Sequence, residues 1–387
     1  MKKEIDRPIR VMRIIARMNV GGPAVQVSGL MRGLNREEFD HRLFTGYCSS
    51  NELDFLDTTA TDIEATRIEG FGRRISLRGD LFAFFKLVKE IRNFKPHIIH
   101  THTSKAGLLG RLASILSLQP SIRVHTFHGH LLTGYFGSLK RSLVVFAEKC
   151  LALITQQLLS VGNKVREDLL EVGIGKREKF SLMPPGLVIS QLPLKVESRL
   201  ALGLSKDKLQ CAFIGRITQI KRPDRFLDVA RELKKRGVAL DFFIAGDGDL
   251  LDNCRKKVIE EDLPITLLGW QSDIERVLSA ADIVCLTSDN EGMPLSLIQA
   301  GMAGLPVVTT NVGSVSEVVL DGVTGFVTKR NVQEIADALE KLVNNTPLQQ
   351  SFGAAAKEFT MMNFGVQRLV SDHEKLYRNL IASRANF

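Results

Sequence analysis

Cysteine is scarce in this 387-residue chain, and its five copies, Cys48, Cys150, Cys211, Cys254 and Cys285, are odd in number and scattered. No close pair exists, which argues against a disulfide framework or a zinc ribbon and predicts a reduced, cytosolic protein. Aromatic residues make up only 6% of the chain, with a single tryptophan and no basic-aromatic recognition motif, so nucleic acid is not an expected partner. No apolar run approaches membrane-spanning length, and the first residues, Met1-Lys-Lys-Glu-Ile-Asp-Arg7, lack the apolar core of a signal peptide. The expectation is a protein neither secreted nor integral to a membrane. Low-complexity segments, solenoid-period repeats and a G-x-G-x-x-G fingerprint are also missing, and the last absence argues against a dinucleotide cofactor.

What remains is an ordinary globular composition, 44% hydrophobic and 25% charged, in a chain longer than one core usually supports, so two domains are expected. Charge is informative once divided. Residues 1–190 hold 28 Lys and Arg against 18 Asp and Glu, whereas the remainder holds 24 against 25. A basic first half is either a solvated face or one attracted to an anionic membrane surface or phosphorylated substrate.

Short apolar runs of β type alternate with amphipathic helical runs throughout, the pattern of parallel sheets covered on both faces. In the first half, strands are predicted at 9–15, 41–47, 97–102, 123–127 and 158–161, with helices at 23–34, 81–93, 105–116, 139–157 and 165–172. After a linker over about 186–205 the alternation restarts. Strands are expected at 209–214, 240–245, 265–268, 282–287 and 306–309, and helices at 223–235, 250–260, 294–302, 332–342 and 348–359. The fold class is therefore α/β, two Rossmann-like doubly wound domains facing across a cleft lined by the carboxyl ends of their strands. The expected division is 1–190, 191–363 and a terminal segment 364–387.

The densest chemical signal is Glu291-Gly-Met-Pro-Leu-Ser-Leu-Ile-Gln299, which follows the apolar run 282–288. Strand, glycine loop and helix deliver a phosphate to free backbone N–H groups, here near Gly292, Met293, Pro294 and Leu295. Pro294 suits the first helical turn. Glu291 would meet hydroxyls and Gln299 would lie further along the same helix. Gly215-Arg216 and Lys221 follow the first strand of the second half, so two cations face the predicted cleft and could neutralise a diphosphate. Gly21 and Gly22, ahead of the first helix, either let backbone approach a ligand or form an ordinary tight turn.

Histidines cluster at two strand ends, His100-Thr-His102 and His125-Thr-Phe-His128-Gly-His130. A metal site built from both is conceivable, but no Asp or Glu stands within either cluster; His128 reaching a substrate is the preferred reading. Asp247-Gly-Asp249 resembles a metal-binding pair, yet Asp249 suits a helix N-cap better. Lys105 sits at the wrong end of its helix for the dipole, which an anionic ligand would explain, as would simple exposure.

In order and spacing these motifs resemble family 4 of the retaining, nucleotide-sugar-dependent glycosyltransferases, which have the GT-B fold. The resemblance rests on Gly21-Gly22, Thr126-Phe-His128, Gly215-Arg216 with Lys221, Gly246-Asp-Gly248, Glu291-Gly through Ala303-Gly-Leu-Pro-Val-Val308, and Gly313-Ser-Val-Ser-Glu317. It implies that Arg216 and Lys221 bind the donor's diphosphate, that Glu291 accepts hydrogen bonds from sugar hydroxyls, and that backbone near Met293–Leu295 assists. It further implies His128 near the reacting sugar, Gly22 by the diphosphate, base contacts around Gly269-Trp270, and a tail from Phe364 to about Ala382 returning to the first domain. The family's Glu-x7-Glu motif is broken here, because Gln299 replaces the glutamate that holds the ribose. The implied activity is metal-independent transfer of a hexose-type sugar, with retention, from a nucleoside diphosphate sugar, UDP being the commonest. No cofactor beyond that donor substrate is implied. The acceptor would be lipid-linked or a saccharide in cell-surface polysaccharide synthesis, met in the cytoplasm at the inner membrane face; Arg73, Arg74 and Arg78 are the candidate contact, with Lys105 as a further acceptor or membrane candidate, and a mobile basic loop is the alternative reading of the three arginines. A sugar-nucleotide epimerase and a non-catalytic nucleotide-sugar-binding protein are the rival readings.

Overall fold

The computed structural model describes residues 8–50, 52–129 and 138–385. It contains two compact units, one formed by residues up to Leu187 together with Val366 onward, the other by Val188–Gly365. Among the described residues, no helix is long and apolar enough to cross a membrane.

The first unit is built on seven parallel strands: β1 (Ile9–Ile15), β2 (Phe39–Thr45), β3 (Ala65–Arg67), β4 (Ile98–His102), β5 (Ile122–Phe127), β6 (Gln157–Ser160) and β7 (Phe180–Leu182). Their spatial order is 3-2-1-4-5-6-7, so the winding direction reverses between β1 and β4. Alternate residues of β1 serve opposite faces. Met12 and Ile14 join Leu87, Ile91 and Ala113 from helices Leu77–Phe94 and Ser104–Leu116, while Ile9 and Val11 join Tyr377 of helix Val366–Ala385. Burial on both faces explains the nearly continuous apolar runs, and each fully buried aliphatic side chain contributes about 1.5–3 kcal/mol.

The second unit repeats the plan with six parallel strands: β8 (Leu209–Ile214), β9 (Leu240–Ala245), β10 (Ile265–Gly269), β11 (Ile283–Leu286), β12 (Val307–Thr310) and β13 (Gly325–Thr328). The order is 10-9-8-11-12-13, and the reversal falls between β8 and β11. In an open α/β sheet such a switch point opens a crevice beyond the carboxyl ends of the strands, where ligands bind.

Several expectations need correction. The sequence pattern misses β3, β7 and β13, which are three or four residues long and close the sheet edges. The expected linker contains helix Lys195–Ala201, locked by buried Arg199, which donates from Nε to the Ala280 carbonyl (3.0 Å) and ion-pairs with Asp282. Helix Ile274–Ala280 is likewise unforeseen, although Asp273 caps it by accepting from Arg276 N. Pro294 occupies the N-cap, not the first turn, of helix Leu295–Met302. Asp249 is not a cap: Leu250 holds that position, and the Asp247 carboxylate accepts from the Gly248 N–H at 2.7 Å.

Candidate active site

The loops after β8 and β11 meet at the switch point of the second unit. Asp289 N donates to the Ile220 carbonyl (2.8 Å), and Thr287 Oγ1 donates to the Arg222 carbonyl (2.9 Å), so one backbone and one side-chain hydrogen bond join the two loops. Arg222, in the left-handed region at φ 51°, turns the chain into helix Pro223–Lys235 and donates from Nη1 to Asp289 (3.0 Å). Arg225 donates to the other Asp289 oxygen (2.8 Å) and to the Thr287 carbonyl (2.6 Å). Burial alone would raise the Asp289 pKa, but these two guanidinium groups outweigh it and hold the carboxyl below its ordinary value.

On this frame stand the expected charged residues. Lys221 Nζ lies 2.5 Å from Glu291 Oε1, which also accepts from Ser288 Oγ at 2.5 Å. Glu291 is 6% exposed. Its carbonyl accepts from Ser314 N, and Ser288 is held in turn by Thr310 Oγ1. Thus a buried carboxylate and a half-buried ammonium neutralise one another at the carboxyl ends of β8 and β11. Arg216 differs: it is exposed, and its guanidinium has no partner among the described residues. Gly292, buried Met293 and Pro294 lead into the eight-residue helix from Leu295, whose first N–H groups are able to receive an anion. Gln299 is half-buried further along it, with its amide unpaired among the described residues. Trp270, 38% exposed, follows β10.

Gly246-Asp-Gly248 has a structural role the resemblance does not specify. A Cβ on Gly246 would lie 1.9 Å from the Gly215 carbonyl oxygen, and one on Gly248 would lie 2.4 Å from that of Ile217. The missing side chains let the loop after β9 press against Gly215-Arg216-Ile217, with Ile217 N donating to the Asp247 carbonyl at 2.9 Å.

In the first unit, Gly21 caps and Gly22 opens helix Gly22–Gly33, and a Cβ at Gly21 would meet nothing closer than 3.9 Å. His128 follows β5 and shares a 2.9 Å hydrogen bond with His102. Burial pushes the His128 pKa down to about 3 and holds His100 and His102 well below the usual range. Sequence reasoning missed the buried groups behind them, Arg13 and Tyr377; an arginine interrupting the apolar run of β1 was the available signal. Among the described residues no group of three or more His, Cys, Asp or Glu could hold a metal, and His130 lies outside them. Arg73, Arg74 and Arg78 are exposed. Lys105 departs from both readings: it is only partly exposed and binds Asp80 (2.5 Å) and the Arg74 carbonyl (2.6 Å), so its placement is explained within the fold.

Comparison with known proteins gives this geometry its class. The fold is that of the GT-B glycosyltransferases: Anabaena HepE in complex with UDP and glucose superposes with a TM-score of 0.81 at 18% identity, covering 96% of this chain and all of that one. Residues 195–359 match the family described as Glycosyl transferases group 1, and residues 20–191 match Glycosyltransferase Family 4. The chain belongs to the family 4 glycosyltransferases. It is 27% identical, over 93% of its length and 97% of the relative's, to the Escherichia coli UDP-Gal:alpha-D-GlcNAc-diphosphoundecaprenol alpha-1,3-galactosyltransferase. The capsular polysaccharide biosynthesis glycosyltransferase CapM of Staphylococcus aureus is 22% identical over 83% of this chain and 86% of its own.

Proposed function

We propose that the protein transfers a hexose-type sugar from a UDP-sugar to a hydroxyl of a lipid-linked or saccharide acceptor in cell-surface glycan synthesis, with retention of anomeric configuration. The observation that carries this reading is the convergence of Arg216, Lys221, Glu291 and a helix N-terminus at one switch point. Arg216 and Lys221 would bind the diphosphate, and Glu291 would exchange its contact with Lys221 for sugar hydroxyls. The bond from the anomeric carbon to the diphosphate breaks, a bond to the acceptor oxygen forms on the same face, and the hydroxyl proton passes to the departing phosphate. Negative charge grows on that phosphate, and preformed cations stabilise it most in the transition state. Because those cations are side chains, no metal is required. The activity for which the Escherichia coli relative is named supports UDP in the donor and a diphosphate-linked lipid as acceptor.

Thermal-shift screening of nucleotide sugars tests the donor, since a bound ligand stabilises the fold according to its affinity. A UDP-hexose should give the largest shift. Arg216→Ala should lower kcat by about 10²–10³ with little change in stability, and EDTA should leave turnover unchanged. An isomer appearing when donor is incubated alone would instead identify an epimerase, and no turnover with any donor would favour a pure binding protein.

Contact with the inner membrane face would run through Arg73, Arg74 and Arg78. Next to them Ile75, Leu77, Leu81, Phe82 and Phe85 are all more than half exposed, at 90%, 89%, 57%, 55% and 55%. Basic and apolar side chains together, in the segment before helix Leu77–Phe94 and in its first turns, suit an anionic bilayer surface. Replacing the three arginines by alanine should abolish binding to anionic vesicles; unchanged binding discards the contact.

A further inference from the structure

Beneath His128 the first unit buries a connected chain of polar side chains. Arg13 is fully buried on β1, faces the side covered by helix Val366–Ala385, and forms no ion pair with a carboxylate among the described residues. Its Nη1 lies 3.2 Å from His100 Nδ1 and 3.2 Å from His102 Nε2, and its Nη2 lies 3.2 Å from the Tyr377 hydroxyl. His102 Nδ1 in turn lies 2.9 Å from His128 Nε2.

The donor and acceptor roles along this chain follow from one fact: a guanidinium has N–H groups and no acceptor. His102 Nε2 must therefore accept, which leaves the proton of the neutral ring on Nδ1. That proton is donated to His128, so His128 Nε2 must also accept, and its own proton sits on Nδ1. The neighbouring branch obeys the same logic. His100 Nδ1 accepts from Arg13 and from the Tyr377 hydroxyl (2.6 Å), so its Nε2–H donates to Thr126 Oγ1 (2.7 Å). His373, stacked on His100 with ring centroids 5.8 Å apart, donates from Nδ1 to the Leu369 carbonyl (2.8 Å). Every assignment holds with all four rings neutral, the state that burial favours.

We infer that Arg13 is a positioning residue that, through His102, fixes His128 as the tautomer protonated at Nδ1, so that His128 serves the transfer reaction as a hydrogen-bond donor to a substrate oxygen and not as its base. The Nδ1 of His128 has no partner among the described residues and is the nitrogen left for substrate. With its lone pair committed to His102, the ring offers no basic nitrogen there. The substrate half of this inference rests on the proposed transferase function; the tautomer half does not.

Long-range 1H–15N correlation of the full-length protein, labelled in histidine, reads the tautomers directly. The His128 signal is assigned by its loss in His128→Gln. Near neutral pH, both His102 and His128 should carry the proton on Nδ1. A His128 proton on Nε2 in the wild type overturns the inference without any variant being needed. Arg13→Met, which removes the donor but keeps an unbranched chain, should give mixed tautomers at both rings and lower kcat about tenfold, while KM for the donor moves less than twofold. An unchanged His128 tautomer in that variant overturns the role of Arg13. Sugar transfer with His128 protonated at Nε2 sinks the relay and spares the function; the expected tautomers with no transfer to any acceptor do the reverse.

Discussion

At the scale of single residues, the charges of the candidate site were legible because each sits just past a strand end in a recognisable motif, whereas their arrangement was not. Arg216 and Lys221 read alike in sequence. In the structure one is exposed and unpaired among the described residues, and the other is bound to a buried glutamate. Asp289, Arg222 and Arg225 escaped notice altogether, since a charged residue beside a helix start is usually only solvated. Their part emerges only when two loops more than sixty residues apart in sequence are seen to share them. Gln299 marks where this chain leaves its family's pattern. An amide accepts a ribose hydroxyl without the charge-assisted gain, so Gln299→Glu should tighten UDP binding by about 1 kcal/mol, roughly fivefold. Isothermal calorimetry showing equal or weaker binding would discard the ribose contact proposed for Gln299.

At the scale of elements, the central strands announced themselves because parallel strands buried on both faces are apolar throughout. The edge strands β3, β7 and β13 did not, being short and paired on one side only, with too few residues to show a period. Loop packing was equally invisible: a glycine in sequence does not say which backbone will lie against it. The turn after β9 makes that point testable. Gly246→Ala would drive a methyl group into the Gly215 carbonyl, so the loop carrying Arg216 must move. A loss of about 1–3 kcal/mol of stability is expected, together with weaker UDP binding. Denaturant unfolding and calorimetry measure the two effects, and a variant with wild-type values in both would show that the contact is unimportant.

At the scale of the whole molecule, the two units share a plan but not a composition. All eight histidines lie outside Val188–Gly365, and each of the seven described has a pKa lowered by burial. A histidine held neutral in the folded state takes up its proton more readily when unfolded. Its contribution to stability is therefore complete above the unfolded value of 6.5 and declines as pH falls toward the folded value, about 4 for His41 and about 3 for His128 and His373. Each such group costs up to about 1.4 kcal/mol per pH unit within that window. Acid should then unfold the first unit while the second persists. The sole tryptophan, Trp270, reports on the second unit alone, so far-UV circular dichroism should fall at a higher pH than Trp270 fluorescence changes. Coincident transitions would contradict this.

The re-entry of the chain at Val366 also bears on how the protein is made. Tyr377 fills a gap among Val11, Ile98 and Val124 in the core of the first unit, and Arg378 clasps Glu38 at 2.6 Å. Those partners leave the ribosome more than two hundred residues before helix Val366–Ala385 exists. The second unit, continuous from Val188 to Gly365, has by then been fully synthesised. Vectorial synthesis thus reverses the order of the chain: the unit begun first is sealed last, and until then the buried arginine of β1 must wait without the tyrosine that joins it to His100.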